Sequence, residues 1–445
     1  MVTTLYYIGV TYLLLLAWPI LLFNRKARFG VSQKLGFIPS EIKGRWENHT
    51  IKPIWFHSVS VGEFNAAYPL IKAFHAKYPS RPIVVSTTTG TGQKLAKERV
   101  SDIAEVIYFP YDAYFAVKSW LDLLQPSLFV IVETEIWPGL ISQCAKRDIP
   151  VAIVNGRISP KSFKSYKRIK GFFSKYVSLI RMIGAQTENE AERYRDLSNN
   201  SVPIRVMGNL KCDGLQPKSK EDIEKLRQSL ALKDGDLVFI AGSTHEGEEA
   251  AVLAAYSQVL KRMPEKTIRL IIAPRHPERF DRAAELIQKA GFTVLRHSKA
   301  ERFTNDFDVY MIDSIGHLAN FYGISTVAFV GGTIAPVGGH NVLEPYTYNV
   351  PVIAGPRLEK TRDFANMLKE RDALFVVKNA NEMADQVSRL FNDELLREQV
   401  GERGNALLIS SQGAVLTGLA ILEECLGIKN TESSTESSNG RGVPV

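Results

Sequence analysis

Pro53-Ile-Trp-Phe-His-Ser-Val-Ser-Val-Gly-Glu63, followed by the helix-like run Phe64–Lys77, decides the fold. An apolar strand breaks at a polar, glycine-containing turn, and a helix begins at once. That is one βα unit of a parallel sheet. Outward from it the same alternation recurs in two series. The first holds Pro53–Phe56, Ile83–Thr87, Val106–Phe109, Leu128–Val132, Val151–Val154, Ile183–Ala185 and Ile204–Met207. The second holds Leu237–Ala241, Arg269–Ala273, Val309–Ile312, Val327–Val330, Val350–Ala354 and Leu374–Val377. Between them Leu210–Asp236 carries Gln216-Pro-Lys-Ser-Lys-Glu221, which reads as a linker and a short charged helix, so a boundary is expected near Lys211–Lys218.

The chain has 445 residues, too many for one ordinary core and enough for two α/β domains. A net charge of +8 favours an anionic partner, whether nucleic acid, acidic lipid or a phosphorylated substrate. Cys144, Cys212 and Cys425 are odd in number and lack CxxC spacing, which argues against a disulfide framework or a cysteine zinc site and fits a reducing compartment.

Met1 to Phe23 contains no charged residue, and Leu5–Phe23 approaches the ~20 apolar residues that span a bilayer. Arg25, Lys26, Arg28 and Lys34 follow the apolar run instead of preceding it, unlike a cleaved secretory signal. The positive-inside rule then places the body in the cytoplasm behind a single inner-membrane anchor. Pro19 and Trp18 leave open an amphipathic or buried helix. The expected division is an anchor over 1–25, an N-terminal domain over 26–212, a C-terminal domain over 213–429 and a disordered Ser, Thr, Glu and Gly tail over 430–445.

In open α/β sheets ligands bind beyond the carboxyl ends of the strands, so the residues after each run are the candidates for chemistry. Glu63 stands at a helix start beside Gly62, where a carboxylate facing a cleft between the domains could take a proton from an acceptor hydroxyl; the plain alternative is helix N-terminal stabilisation. His57 ends a buried strand and is left unassigned. Glu133-Thr-Glu135 places two carboxylates at alternate positions, only one of which should face the cleft if the strand continues. That pair and Asp306-Phe-Asp308 are weak metal signals, since oxygen-ligand sites need more convergent groups.

In the second half, Gly242-Ser-Thr-His-Glu-Gly-Glu-Glu249 reads either as an anion cradle of backbone N–H groups with Ser243 and Thr244, or as a helix cap. Arg275 and His276 end the next strand, where a guanidinium suits an anionic donor, and Asp313-Ser-Ile-Gly-His-Leu318 makes another turn into a helix. Gly331-Gly-Thr-Ile-Ala-Pro-Val-Gly-Gly-His-Asn-Val-Leu-Glu344-Pro345 combines glycines that admit a ligand to the backbone with Asn341 and Glu344, which suit ribose hydroxyls. There is no Walker A motif, and Gly90-Thr-Gly92 is followed by Leu95 where a dinucleotide fingerprint needs glycine, so kinase and dehydrogenase readings lose their support. Lys161–Arg181 interleaves lysines with Phe163, Tyr166, Phe172, Phe173 and Tyr176, a mixture that suits an anionic membrane surface better than nucleic acid beside an anchor.

As an ordered set, His57–Glu63, Glu133–Pro138, Gly208-Asn-Leu-Lys211-Cys-Asp213, Ser243–Glu249, Pro274–Phe280 and Gly338–Glu344 resemble the 3-deoxy-D-manno-octulosonic acid (Kdo) transferases over almost the whole chain after the anchor. The resemblance implies a GT-B α/β fold, two Rossmann-like domains facing a central cleft, with the acceptor domain first and the CMP-Kdo domain second. It implies inverting, metal-independent transfer of Kdo from CMP-Kdo to a tetraacylated lipid A precursor in lipopolysaccharide synthesis, with no cofactor. Glu63 matches the family's proton acceptor, and Glu133 and Lys211 match positions that stabilise the transition state. Pro274, Arg275, Ile315, Gly316, His317, Asn341, Val342, Leu343 and Glu344 match CMP-binding segments, although the family commonly has Glu where this chain has His317. Two other readings compete: a membrane-associated GT-B transferase using a UDP-sugar, and a non-catalytic two-domain binding protein.

Overall fold

The computed structural model describes residues 2–23, 29–299 and 307–428. The chain divides into two compact units, Met1–Gly214 with Gln412–Val445, and Leu215–Ser411. The sequence signals Arg25, Lys26, Arg28 and Asp306 and the tail expected over 430–445 lie outside the described residues.

The first unit is built on β1 (Ile54–Ser58), β2 (Ile83–Thr87), β3 (Ala104–Tyr108), β4 (Leu128–Val132), β5 (Val151–Gly156), β6 (Met182–Ala185) and β7 (Ile204–Val206). They form one parallel sheet in the order β3-β2-β1-β4-β5-β6-β7. Helices cover both faces, so the central strands β1, β2 and β4 are buried along their whole length. One face packs Trp55, Phe129 and Ile131 with Trp120; the other packs Phe56, Val85 and Val130 with Phe64 and Leu70. Trp55 is fully buried, worth on the order of 3 kcal/mol of apolar transfer, and its indole donates to Ser86 Oγ at 2.8 Å.

The second unit repeats the design with β8 (Leu237–Thr244), β9 (Ile268–Pro274), β10 (Val294–Arg296), β11 (Val309–Met311), β12 (Val327–Val330), β13 (Val352–Ala354) and β14 (Leu374–Val376). Its parallel order is β10-β11-β9-β8-β12-β13-β14. β10 has no counterpart in the sequence reading: it is a three-residue edge strand, only partly buried, with too few β-branched residues to stand out.

A C-terminal segment expected in the second domain belongs to the first unit instead. The helix Ala414–Cys425 packs Leu419, Ile421 and Leu422 into the core that holds Leu70 and Met207. Asp213 caps its start by accepting from the amides of Ala414 and Val415 at 3.3 and 2.6 Å, and Tyr78 donates to Glu423 at 2.8 Å. Glu394–Cys425 is apolar enough on average to cross a membrane, but it is two helices, Glu394–Ser410 and Ala414–Cys425, in different units. The first carries Arg397, Glu398, Glu402 and Arg403, and the second is a core helix.

The N-terminal helix runs Val2–Phe23 without an acidic or basic residue. Lys34, counted among the cations flanking it, is not a solvent charge: it is buried over the Tyr108 ring at 5.2 Å, and desolvation lowers its ammonium pKa.

Candidate active site

In each sheet the first strand connects one way and a later one the other, which opens a switch point between β1 and β4 and another between β8 and β12. The candidate residues gather at these two places.

At the first, Ser60 caps the helix Val61–Lys77, and the amide of Glu63 donates to Ser60 Oγ at 3.4 Å. The Glu63 carboxylate turns back to accept the Val59 amide at 2.5 Å, close to a capping box. Capping does not exhaust its role. Burial pushes the Glu63 carboxyl up to about 7, with Glu133 and Glu135 adding to the rise against the opposing hydrogen bond from Val59.

β4 ends at Val132, and Glu133 follows with φ 68, a left-handed conformation that costs a non-glycine residue ~1–2 kcal/mol. Alternation along a continuing strand therefore does not apply. Both Glu133 and Glu135 raise the Glu63 pKa, where only one was expected on that side. Glu133 is buried; Lys211 Nζ donates to its Oε1 at 2.7 Å and Asn155 Nδ2 lies at 3.4 Å from the same oxygen. Burial raises the Glu135 pKa.

Lys211 is placed by a chain of amides. Asn209 Oδ1 accepts the Lys211 amide, Asn209 Nδ2 donates to Gln186 Oε1, Gln186 Nε2 donates to Asn155 O, and Asn155 Oδ1 accepts the Leu210 amide. All four contacts lie between 3.0 and 3.1 Å. β5 and the loop after β7 thus deliver a cation onto the carboxylate that ends β4. His57 is stacked on Phe109 at 3.6 Å and burial lowers its pKa to about 3, which makes it a neutral structural group.

At the second switch point the expected anion cradle is already filled from within. Glu248 is fully buried and accepts five backbone amides: Gly332 and His245 on Oε2 at 2.7 and 2.9 Å, and Thr333, Ile334 and Ala335 on Oε1 at 2.8 to 3.1 Å. The Thr244 hydroxyl donates to Glu249, which Arg279 grips through two bonds of 2.9 Å. Gly331 is required by closeness, since a Cβ there would meet Ser243 O at 2.4 Å.

His245 and His340, from the loops after β8 and β12, stack at 5.1 Å with their Nε2 atoms 2.8 Å apart, and His276 lies edge-on to His245 at 5.1 Å. One of the first pair must donate and the other accept, so the accepting ring is neutral at that nitrogen, and burial lowers the His245 pKa as well. Burial lowers the His340 pKa to about 4, helped by His245, Arg275 and Lys360. The sequence reading did not single out Glu248, His245 or His340; the adjacency of β8 and β12 is the signal that brings them together.

Asn341 Oδ1 accepts the Leu343 amide at 3.1 Å and Asn341 Nδ2 lies 3.4 Å from Glu344 Oε1, while Val342 and Leu343 are buried beneath. Burial raises the Glu344 pKa. Pro274 closes β9 and Arg275 is exposed beyond it, its amide bonded to Thr244 O. Ile315, Gly316 and His317 form an exposed turn, with the His317 ring 4.8 Å from His297. Asp308 accepts from both the amide and hydroxyl of Thr293 at 2.8 Å, and among the described residues no group of three or more His, Cys, Asp or Glu side chains is arranged to hold a metal ion.

Residues 26–214 match the family model described as 3-deoxy-D-manno-octulosonic-acid transferase (kdotransferase). The chain is 35% identical over 375 residues to the 3-deoxy-D-manno-octulosonic acid transferase of Haemophilus influenzae, covering 84% of this chain and 87% of that one. It is 28% identical over 383 residues to the enzyme of the same name from Bordetella pertussis, covering 84% and 88%. In structure it resembles the UDP-GlcNAc 2-epimerase of Neisseria meningitidis, with a TM-score of 0.55 over 84% of this chain and 100% of that one. At 14% identity that likeness speaks to the two-domain α/β fold alone.

Proposed function

Because the chain belongs to the 3-deoxy-D-manno-octulosonic acid transferase family, we propose that it is a GT-B glycosyltransferase that moves Kdo from CMP-Kdo to a sugar hydroxyl of the tetraacylated lipid A precursor. Glu63 takes the hydroxyl proton as the oxygen attacks the anomeric carbon. The bond from that carbon to the CMP phosphate oxygen breaks, its electron pair leaves with CMP, and attack from the opposite face inverts the centre. Lys211, steadied by Glu133, offsets negative charge that develops on transfer. Pro274, Arg275, the Ile315–His317 turn and Asn341–Glu344 bind the CMP portion, with His317 a departure from the family pattern.

One observation carries this reading: a carboxylate lifted to about 7 by burial, beside two further carboxylates and a lysine ion pair, at the strand ends where an open α/β sheet binds its ligand. We place the enzyme at the cytoplasmic face of the inner membrane, on the strength of the uncharged helix Val2–Phe23 and the basic stretch Lys161–Arg181. The test is transfer from CMP-Kdo to the lipid A precursor in detergent, with and without chelator and with products resolved by mass. Product formed equally with chelator supports the reading. Turnover of a UDP-sugar instead, or CMP-Kdo binding without turnover, would replace it.

A further inference from the structure

We propose that the helix Val2–Phe23 lies along the first unit, in the plane of an anionic lipid surface, and does not cross the bilayer. This rests on the membrane reading above and deepens it. The helix is clipped to its unit near its own start. Tyr6 Oη donates to Asp112 Oδ2 at 2.7 Å, Tyr7 Oη donates to Gly139 O at 2.7 Å, and Tyr176 Oη donates to Thr3 Oγ1 at 3.1 Å. Asp112 is buried and also accepts the amides of Gly139 and Leu140, so the clip is anchored in the fold rather than on a loose side chain. Tyr6 and Tyr7 further pack on the rings of Phe172 and Tyr114.

The far end is tied to the same unit. Phe29 lies against Gly90 and Gly30 against the Tyr108 ring. The six residue steps from Phe23 to Phe29 reach at most about 22 Å. A helix crossing the ~30 Å hydrocarbon core would put Thr3, Tyr6 and Tyr7 on the side opposite residue 29. Their contacts with Asp112, Gly139 and Tyr176 forbid that arrangement.

Docking also sorts the helix into two faces. Thr3, Tyr6, Tyr7, Val10, Thr11 and Leu14 turn inward at helical spacing, while Leu5, Ile8, Tyr12, Leu13, Leu15 and Leu16 stay 59 to 68% exposed. That outer face carries no charge, and Tyr114 and Phe115 extend the bare apolar surface. The occupant is identified by charge. Lys175 Nζ reaches Thr3 Oγ1 at 3.4 Å, and Pro160–Arg181 holds seven cations and no carboxylate. None of the side chains of the helix Pro160–Arg168 is buried. Lys167 and Lys170 pair with Asp196 from a neighbouring helix, at 3.9 and 3.0 Å, and the remaining five cations leave a net positive edge. An apolar face edged by net positive charge fits hydrocarbon below phosphate headgroups.

A protease-cleavable tag placed before Met1 tests the topology in sealed membranes of both orientations. The expected result is that the tag and the catalytic body are reached from the same side. A tag cleaved only from the opposite side would overturn the in-plane arrangement while leaving membrane attachment intact. The purified protein should bind vesicles containing phosphatidylglycerol at least tenfold more tightly than vesicles of phosphatidylcholine alone. Leu13→Glu with Leu16→Glu should abolish that binding and keep CMP binding, which reports on the fold. Absence of binding to either vesicle would overturn this proposal and the membrane reading together. Self-association through the helix without lipid affinity would overturn it in favour of a dimer face.

Discussion

A base whose pKa is lifted from 4.5 to about 7 leaves a signature in the pH dependence of transfer. With an apparent value near 7, about 9% of Glu63 is ionised at pH 6 and about 91% at pH 8, so kcat/KM should rise about tenfold between them. With the ordinary carboxylate value the profile would be flat over that range. Glu63→Gln should lower turnover by about 10² to 10⁴ and remove the rise, with CMP affinity unchanged. Stability supplies an independent readout. Between pH 4.5 and 7 the folded state holds the Glu63 proton more tightly than the unfolded chain does, so this carboxyl's contribution is lost as pH rises through the window. The full shift corresponds to about 3 kcal/mol, and about half that survives screening of a half-buried group. Glu63→Gln should therefore be about 1 to 2 kcal/mol more stable than the parent at pH 8 and equal to it at pH 4, by urea unfolding. A flat kcat/KM between pH 6 and 8, or near-normal turnover in the variant, would refute the assignment.

Lys211→Ala takes the ion pair from the buried Glu133 and leaves, among the described residues, the long Asn155 contact; half-exposed as the lysine is, the fold should lose about 1 kcal/mol in urea unfolding while turnover falls about 100-fold at unchanged CMP affinity, and equal losses in both would mark Lys211 as structural. Glu248→Gln keeps one acceptor oxygen and turns an amide donor onto two amides that need an acceptor, which should cost about 3 kcal/mol in urea unfolding and raise the donor KM more than it lowers kcat. The His340 pKa, lowered to about 4, makes the folded state resist a proton that the unfolded chain accepts near 6.5, so stability should decline as pH falls from 6.5 to 4, and His340→Gln should flatten that limb of the melting curve.

The strands were legible because a parallel sheet covered on both faces demands continuous β-branched runs: Ile83–Thr87 and Leu128–Val132 match the structure residue for residue. β10 escaped because it is only Val-Leu-Arg, partly buried throughout, with a single β-branched residue, whereas the edge strands β3 and β14 carry longer apolar runs. The return of Ala414–Cys425 to the first unit was not legible either, since the apolar face of a helix does not say which core it completes. At the site, Glu63 was legible from its turn, but the side to which Glu133 points depends on a positive φ that no alternation rule contains. Lys34 reads as a flanking charge in sequence and becomes a buried one only once Tyr108 is beside it.

The contacts that escaped sequence reading most completely also narrow the chemistry of the donor loop. Glu248 lies 84 residues from Gly332, and only the pairing of β12 with β8 brings them together. That pairing consumes every backbone N–H from Gly331 to Ala335: the first bonds to Gly242 O and the other four to Glu248. A glycine-rich loop after a parallel strand is commonly read as a phosphate cradle because its amides point at the ligand. Here the protein has supplied its own anion to that nest, so these five amides are not available to a nucleotide. Positive charge for an anionic donor then falls to side chains, and Arg275, exposed at the end of β9, and Lys360 are cations whose charge is felt at His340. The glycines of the loop then serve closeness rather than anion binding: Gly331 lets β12 turn against Ser243, and Glu248 holds the turn rigid.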